Sequence, residues 1–260
     1  MPEKALAAFD KAVQLNRSPE ILNDVSYELT QKSVHLERAL EYAQSAVDET
    51  STRLRTVTLD HPEMEEFGLV NSLASYWDTL GWVYFHQGEL DRAEKYIRAA
   101  VGLTQHGEVI DHLGQIYEKR GKKEDAIHWY ALALGSLHPS PDTRGRLASL
   151  VGGDTKVDQY VKKYKDELMK ARTVSLGKIL PPQPDKDKAQ SAATPDRSGD
   201  FLLLFSTAGP VEDAKWVRGS EELKNLSSKL RAANYNTAFP DGTPTKVVRR
   251  GTMQCSSQTG

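Results

Sequence analysis

The chain has 260 residues, 38% of them apolar and 27% charged, with a formal net charge of −2. At roughly 150 residues per domain this is one large or two modest domains with enough apolar material for a real core, which excludes wholesale disorder. A single cysteine, Cys255, excludes an intramolecular disulfide framework and a Cys-rich zinc site. The longest dense apolar run, Phe201 to Phe205, is far short of the roughly 18 residues a membrane-spanning helix needs. Charge is divided unevenly: residues 1–154 carry 16 Lys and Arg against 24 Asp and Glu, and residues 155–260 carry 18 against 12. An acidic front and a basic back predict units with different partners, or halves that attract one another.

In chain order, Ala5, Phe9 and Ala12 stand at helical spacing, and Pro19 opens a second helical stretch with Leu22, Val25, Ser26 and Leu29. A further stretch carries Ala39, Ala43 and Ala46 and keeps helix-forming residues to about Thr58. Asp60, Pro62 and Glu63 then supply an acceptor, a first-turn proline and a carboxylate, which together signal a new helix start. Next comes Trp77-x-x-Leu80-Gly81-x-x-Tyr84, followed by Ala93, Ile97 and Ala100. The same spacing returns 33 residues later as Ile110-x-x-Leu113-Gly114-x-x-Tyr117, followed by Ala126, Tyr130 and Ala133, and Gly88 recurs as Gly121. Each unit has two apolar-periodic stretches separated by a glycine turn, hence two short antiparallel helices. Small residues sit where the pair approaches closely and large ones fill the space between successive pairs. A single pair cannot bury its apolar face, so the units must stack. From Ser26 to Gly81 is 55 residues rather than 33, so about 20 extra residues are expected as two lengthened helices meeting at Asp60 to Pro62.

After Pro141 the pattern fades. Residues 142–152 predict a short helix at most, and a stronger amphipathic helix is expected from about Thr155 to Val174, with Val157, Tyr160, Val161, Tyr164, Leu168 and Met169 on one side. Residues 181–200 hold four prolines and no large apolar side chain, which predicts a disordered linker. Residues 201–260 read as strand, strand, helix, strand: Phe201 to Phe205, Ala214 to Val217, a helix after Ser220 with Leu223, Leu226 and Leu230 on one stripe, and Lys246 to Met253. The predicted fold class is α+β by domains, with an α-helical solenoid over 1–180 (about three repeats, a half repeat and an end helix), a linker over 181–200, and a small β-β-α-β module over 201–260 that is expected to be incomplete.

The 33-residue units resemble the tetratricopeptide repeat family, whose pattern is W-x2-L-G-x2-Y, then A-x3-F, then A. On that resemblance Met1 starts in mid-repeat, so the chain is expected to be a fragment, with a diverged N-terminal cap as the alternative. In the tail, Gly219-Ser220-Glu221-Glu222-Leu223, Phe239-Pro240-Asp241 and Arg249-Arg250-Gly251-Thr252-Met253-Gln254-Cys255 resemble the ends of large bacterial repeat proteins that carry a transglutaminase-like domain. That resemblance implies an envelope location for a longer parent; otherwise the bacterial cytoplasm is expected.

The sequence has no nucleophile elbow, phosphate-cradling loop, dinucleotide fingerprint or His-Glu-x-x-His helix, so no catalysis, metal, cofactor or small-molecule substrate is expected. Cys255 reads as an inert thiol, a half-cystine with a partner elsewhere, or, least of all, a nucleophile favoured by Arg249 and Arg250. Those two arginines and Lys246 raise nucleic acid as an alternative ligand of the tail, without the aromatic interleaving used to stack bases. The family resemblance implies instead a concave groove lined by the first helix of each unit. Its groove positions are Asn23, Tyr27 and Thr30; Asp78, Trp82 and Phe85; and Asp111, Gln115 and Glu118. Acids beside aromatics there predict a non-catalytic scaffold for a protein or peptide segment with basic and apolar side chains. Two alternatives stay open: that Trp82 and Phe85 merely pack on the lengthened helices, and that the array is accessory to an enzyme on a longer envelope protein. A separate expectation is that the basic C-terminal half folds back on the acidic array.

Overall fold

The computed structural model describes residues 2–60, 64–171, 173–176, 197–207, 209–235 and 237–255. Its first part is a succession of helical hairpins: α1 (Pro2–Leu15), α2 (Pro19–Gln31), α3 (Leu36–Leu54), α4 (Met64–Gln87), α5 (Leu90–Leu103), α6 (Gly107–Lys119), α7 (Lys123–Leu134), α8 (Thr143–Val151), α9 (Val157–Tyr164) and α10 (Glu167–Ala171). The hairpins pair as α2 with α3, α4 with α5 and α6 with α7. Local chemistry accounts for their ends. Ser18 accepts a hydrogen bond from the Ile21 amide with Pro19 in the first turn, which caps α2. Gly88 and Gly121 adopt φ of +85° and +71°, and behind each the chain closes identically, Glu89 N–H to the Tyr84 carbonyl and Lys122 N–H to the Tyr117 carbonyl, both at 2.9 Å. In the first hairpin Ser33, at φ +50°, holds the same place.

Packing explains the repeat glycines. A Cβ on Gly114 would stand 2.4 Å from two ring carbons of Tyr130, and one on Gly81 would stand 2.6 Å from Ile97 Cγ1. Both neighbours are fully buried. Gly114→Ala should therefore lose about 1–2 kcal/mol in urea unfolding, because the overpacking of a rigid ring outweighs the ~1 kcal/mol that Ala gains in a helix. Gly68→Ala, in α4 with nothing within 4 Å, should instead gain up to about 1 kcal/mol. Adjacent hairpins are also cross-linked: Glu94 of α5 accepts from Tyr117 of α6 and pairs with Arg98 and Arg120. Burial opposes that carboxylate's charge, but these donors prevail and hold it below the usual range.

The lengthened pair is present as α3 and α4, of 19 and 24 residues. α3 stops at Leu54 rather than Thr58, and Val57 and Leu59 beyond it are buried. The start signal at Asp60 to Glu63 falls largely on residues 61–63, outside the described residues. The single end helix expected over 155–174 is two pieces, α9 and α10, with a turn at Lys165 and Asp166. The second piece leans on the loop before α6, where Gln105 Nε2 donates to the Leu168 carbonyl at 3.1 Å. Among the described residues no helix is long and apolar enough to cross a membrane.

The second part is a three-stranded antiparallel sheet in the order β2-β1-β3, made of β1 (Arg197–Ser206), β2 (Gly209–Gly219) and β3 (Lys246–Cys255). A 3-10 turn (Glu221–Leu226) and α11 (Ser227–Ala232) lie between β2 and β3. β1 starts four residues before the expected linker boundary; residues 181–196 of that linker lie outside the described residues. Every residue from Phe201 to Phe205 is buried, so the central strand is covered on both faces. Leu223, Leu226 and Leu230 contribute one cover, and the helical array the other.

The module does fold back on the array. Phe239 meets Trp77 edge-on with centroids 6.1 Å apart, and Arg250 lies over the Phe67 ring at 4.8 Å. Tyr96 Oη donates to the Asp241 carbonyl at 2.6 Å, and Arg249 to the Gly102 carbonyl at 2.7 Å. Lys215 donates to the carbonyls of Leu59 and Asp60, both at 2.8 Å. An ion pair across the attachment joins Lys95 of the array to Asp241 of the module, opposite in polarity to the charge division, while Lys215 and Arg249 reach neutral carbonyls and Arg250 a ring. Apolar burial joins the two as well, in one core cluster that runs from the hairpins into the sheet.

Candidate functional site

Helices α2, α4 and α6 are the first helices of the three hairpins, and the glycine spacing places the nine candidate positions on them. Module contacts fall instead on α3, α5 and parts of α4. Five of the nine candidates, Asn23, Tyr27, Phe85, Gln115 and Glu118, stay at least partly exposed, whereas Thr30, Asp78, Trp82 and Asp111 are buried. Thr30 turns its hydroxyl to the Ser26 carbonyl at 2.7 Å, a bond within its own helix.

The two aspartates, 33 residues apart in equivalent places, are each engaged by a cation of the next unit. Asp78 Oδ1 lies 2.8 Å from His112 Nδ1, and Asp111 Oδ2 lies 2.9 Å from Arg146 Nη1 of α8 and accepts from Gln115 at 2.7 Å. Burial opposes a charge on His112. The Asp78 carboxylate outweighs it, with Asp111 and Glu108 adding to the same effect, and the imidazole is held above its ordinary pKa of 6.5. Trp82 stacks on that imidazole with centroids 3.9 Å apart and on Phe85 at 4.5 Å. The aromatic pair thus packs against α6 through His112 and Lys119.

Two hydroxyl-to-carboxylate contacts complete the face. Tyr27 Oη of α2 donates to Glu108 Oε1 of α6 at 2.7 Å, bridging over α4, and Tyr130 Oη donates to Glu118 Oε2 at 2.6 Å. Burial first, and then the adjacent carboxylate, keeps both phenols protonated well above their usual range. Glu108 and Glu118 therefore each accept from a neutral phenol here. Lys119 lies over the Phe85 ring at 4.4 Å and donates to the Phe85 carbonyl. Asn23 Oδ1, Trp82 Nε1 and His86 Nε2 are buried with no hydrogen-bond partner among the described residues.

Residues 74–106 and 108–136 match the tetratricopeptide repeat family. The match covers the two hairpins with the clearest signature, and it does not extend to the tail, where the resemblance to transglutaminase-bearing proteins gains no support. Among the curated proteins, none matches the chain. The repeats account for the aspartate positions but not for their partners. His112, Glu108 and Arg146 were not among the sequence candidates. The available signal was that Asp78 and Asp111 sit one residue from the repeat's apolar stripe, where an acid is buried and needs a partner.

The tail's basic cluster is engaged in the fold. Lys246 pairs with Glu212 at 2.6 Å, and Arg249 and Arg250 make the array contacts described above. Cys255 is a free, partly buried thiol at the end of β3, opposite Arg197. Among the described residues no cluster of three or more His, Cys, Asp or Glu is placed to hold a metal.

Proposed function

We propose that the face formed by α2, α4 and α6 binds a segment of another protein carrying apolar and basic side chains, without catalysis. The observation that carries this reading is the partition of the nine positions: a buried floor of Thr30, Asp78, Trp82 and Asp111, with both aspartates paired internally, beside a rim of Asn23, Tyr27, Phe85, Gln115 and Glu118 that stays at least partly exposed. The floor fixes the rim, so an incoming segment meets side chains whose rotamers are already restricted and loses little entropy in ordering them. In this reading Phe85 and Tyr27 supply apolar contact. The negative charge that steers basic groups belongs to Glu108 and Glu118, since Asp78 and Asp111 are below the surface and matched by His112 and Arg146.

A test is fluorescence anisotropy of a peptide panel that crosses basic or acidic charge with apolar content, on the intact chain. Basic, apolar peptides should bind best and weaken with added salt. Glu118→Lys should weaken them about two- to fivefold, as for an exposed charge contact of about 0.5–1 kcal/mol. Lys95→Glu, at the module side, should leave them unchanged. Equal binding of acidic and basic peptides, or indifference to Glu118→Lys, would reject this assignment of the face.

A further inference from the structure

Several buried hydrogen-bonding groups are left unpaired, and they gather on the proposed face. Of the eight buried side-chain atoms with no hydrogen-bond partner among the described residues, four belong to it: Asn23 Oδ1 on α2, Trp82 Nε1 and His86 Nε2 on α4, and Asp111 Oδ1 on α6. Native folds keep few such groups, because each forfeits its hydration without a replacement bond. Trp82 is 5% exposed, and the indole nitrogen is its one polar side-chain atom. One helical turn further along α4, His86 meets the Trp82 ring edge-on with centroids 4.9 Å apart.

These groups are of both kinds. The Trp82 indole only donates, whereas the Asn23 oxygen only accepts. His86 is uncharged at neutral pH, since burial first, and then Lys119 and His112, hold its imidazole below the ordinary 6.5. Its Nδ1 lies 2.9 Å from the Ser33 hydroxyl, so the tautomer decides whether Nε2 donates or accepts. A bound cation would suit the acceptor and repel the donor's hydrogen, and an anion the reverse. A helix would arrive with its own N–H and C=O groups already bonded four residues apart. An extended segment carries a free N–H and a free C=O at every residue other than proline, which is the mixture this face lacks.

Resting on the reading of the α2, α4 and α6 face as a peptide site, we infer that its ligand is an extended segment held by its own main chain, with the Trp82 indole donating to a peptide carbonyl and Asn23 Oδ1 accepting from a peptide N–H. Both atoms are closed to water in the free chain. Binding therefore includes a turn of the partly exposed Asn23 and His86 side chains, a rotamer change of a kind common at interfaces. With the main chain fixed in this way, basic side chains of the segment reach Glu108 and Glu118, and apolar ones reach Tyr27 and Phe85.

The experiment takes the best-binding basic, apolar peptide of the panel and compares it, by fluorescence anisotropy on the intact chain, with two altered forms. In one, successive main-chain amides are replaced by esters, which removes the N–H; the other is stapled as a helix with the remaining side chains kept. The helix should bind at least tenfold more weakly, and the ester should cost about fivefold at one position or more, the worth of one hydrogen bond. Asn23→Leu should weaken the parent peptide by a similar factor, with no further loss for the peptide whose ester stands at the partnered nitrogen. Its thermal unfolding should be unchanged or raised, because a buried unpaired oxygen is gone. Should that variant misfold, the Trp82 indole N–H resonance of the unmodified chain should still move downfield as the parent peptide is added. If no peptide binds, the reading of the face falls and this inference with it. If a peptide binds but the stapled helix binds as tightly, the esters are without effect at every position, or the indole resonance stays in place, the main-chain reading alone is overturned.

Discussion

Asp78→Ala is expected to cost about 3–5 kcal/mol of folding stability, the penalty for leaving one member of a buried ion pair without its counter-charge. The partner is His112, 3% exposed, stacked on Trp82 and bonded to Asp78 at 2.8 Å. The loss has a pH signature. Because the folded-state pKa of His112 is raised, its contribution is fully present below the unfolded value of about 6.5 and disappears as pH rises through the higher folded-state value. Other charges near the ring come from the same two helices, with Asp111 and Glu108 on α6 and His86 on α4. Urea unfolding of the unmodified chain should therefore show a midpoint that falls above about pH 6.5, a fall that Asp78→Ala removes. Asp78→Leu combined with His112→Phe should recover most of the stability, since replacing both members by apolar groups is often neutral. A loss under 1 kcal/mol for Asp78→Ala would show that the pair is not buried as described. The same argument makes charge reversal at Asp78 a poor probe of ligand binding, because unfolding would mimic lost affinity.

Trp77→Ala should be comparably severe, about 3–5 kcal/mol for removing a large buried aromatic. Trp77 is 2% exposed and is the contact point for Phe239. It therefore belongs to two structures at once, the second hairpin and the seat of the module. The prediction has two readouts. Urea unfolding should report the stability loss, and limited proteolysis should cut the segment between α11 and β3 faster as Phe239 loses its neighbour. Phe239→Ala separates them: faster cleavage of that segment with a smaller loss of array stability, since Trp77 keeps its packing inside the hairpins. If Trp77→Ala leaves the segment as protected as before, the docking does not depend on this contact.

Much of the helical part was legible because its information is local. A glycine that must accept Tyr130 against its backbone, a left-handed turn at Gly88 and again at Gly121, and apolar residues three and four apart are properties of short windows. Their recurrence at 33 residues made the hairpins recognisable and the added length of α3 and α4 countable. The strands of the tail announced themselves in the same way, through Phe201 to Phe205 and Lys246 to Met253. The break between α9 and α10 was not legible, since the apolar spacing runs on through Lys165 and Asp166, and the contact of α10 with Gln105 lies 63 residues away.

The sequence by itself determined which residues form hairpins and strands, since periodicity and turn chemistry act over a few residues. Tertiary structure alone decided what those faces offer. Asp78 finds His112 34 positions on, Tyr27 finds Glu108 at 81, and Tyr96 finds the Asp241 carbonyl at 145. Pairings at such separations leave no spacing to read, because they arise only when stacked helices and a returning sheet bring distant side chains together. For that reason Asp78 and Asp111, read in the sequence as charged positions of a groove, are buried against His112 and Arg146, and the lengthened helices α3 and α4 meet β3 of the module.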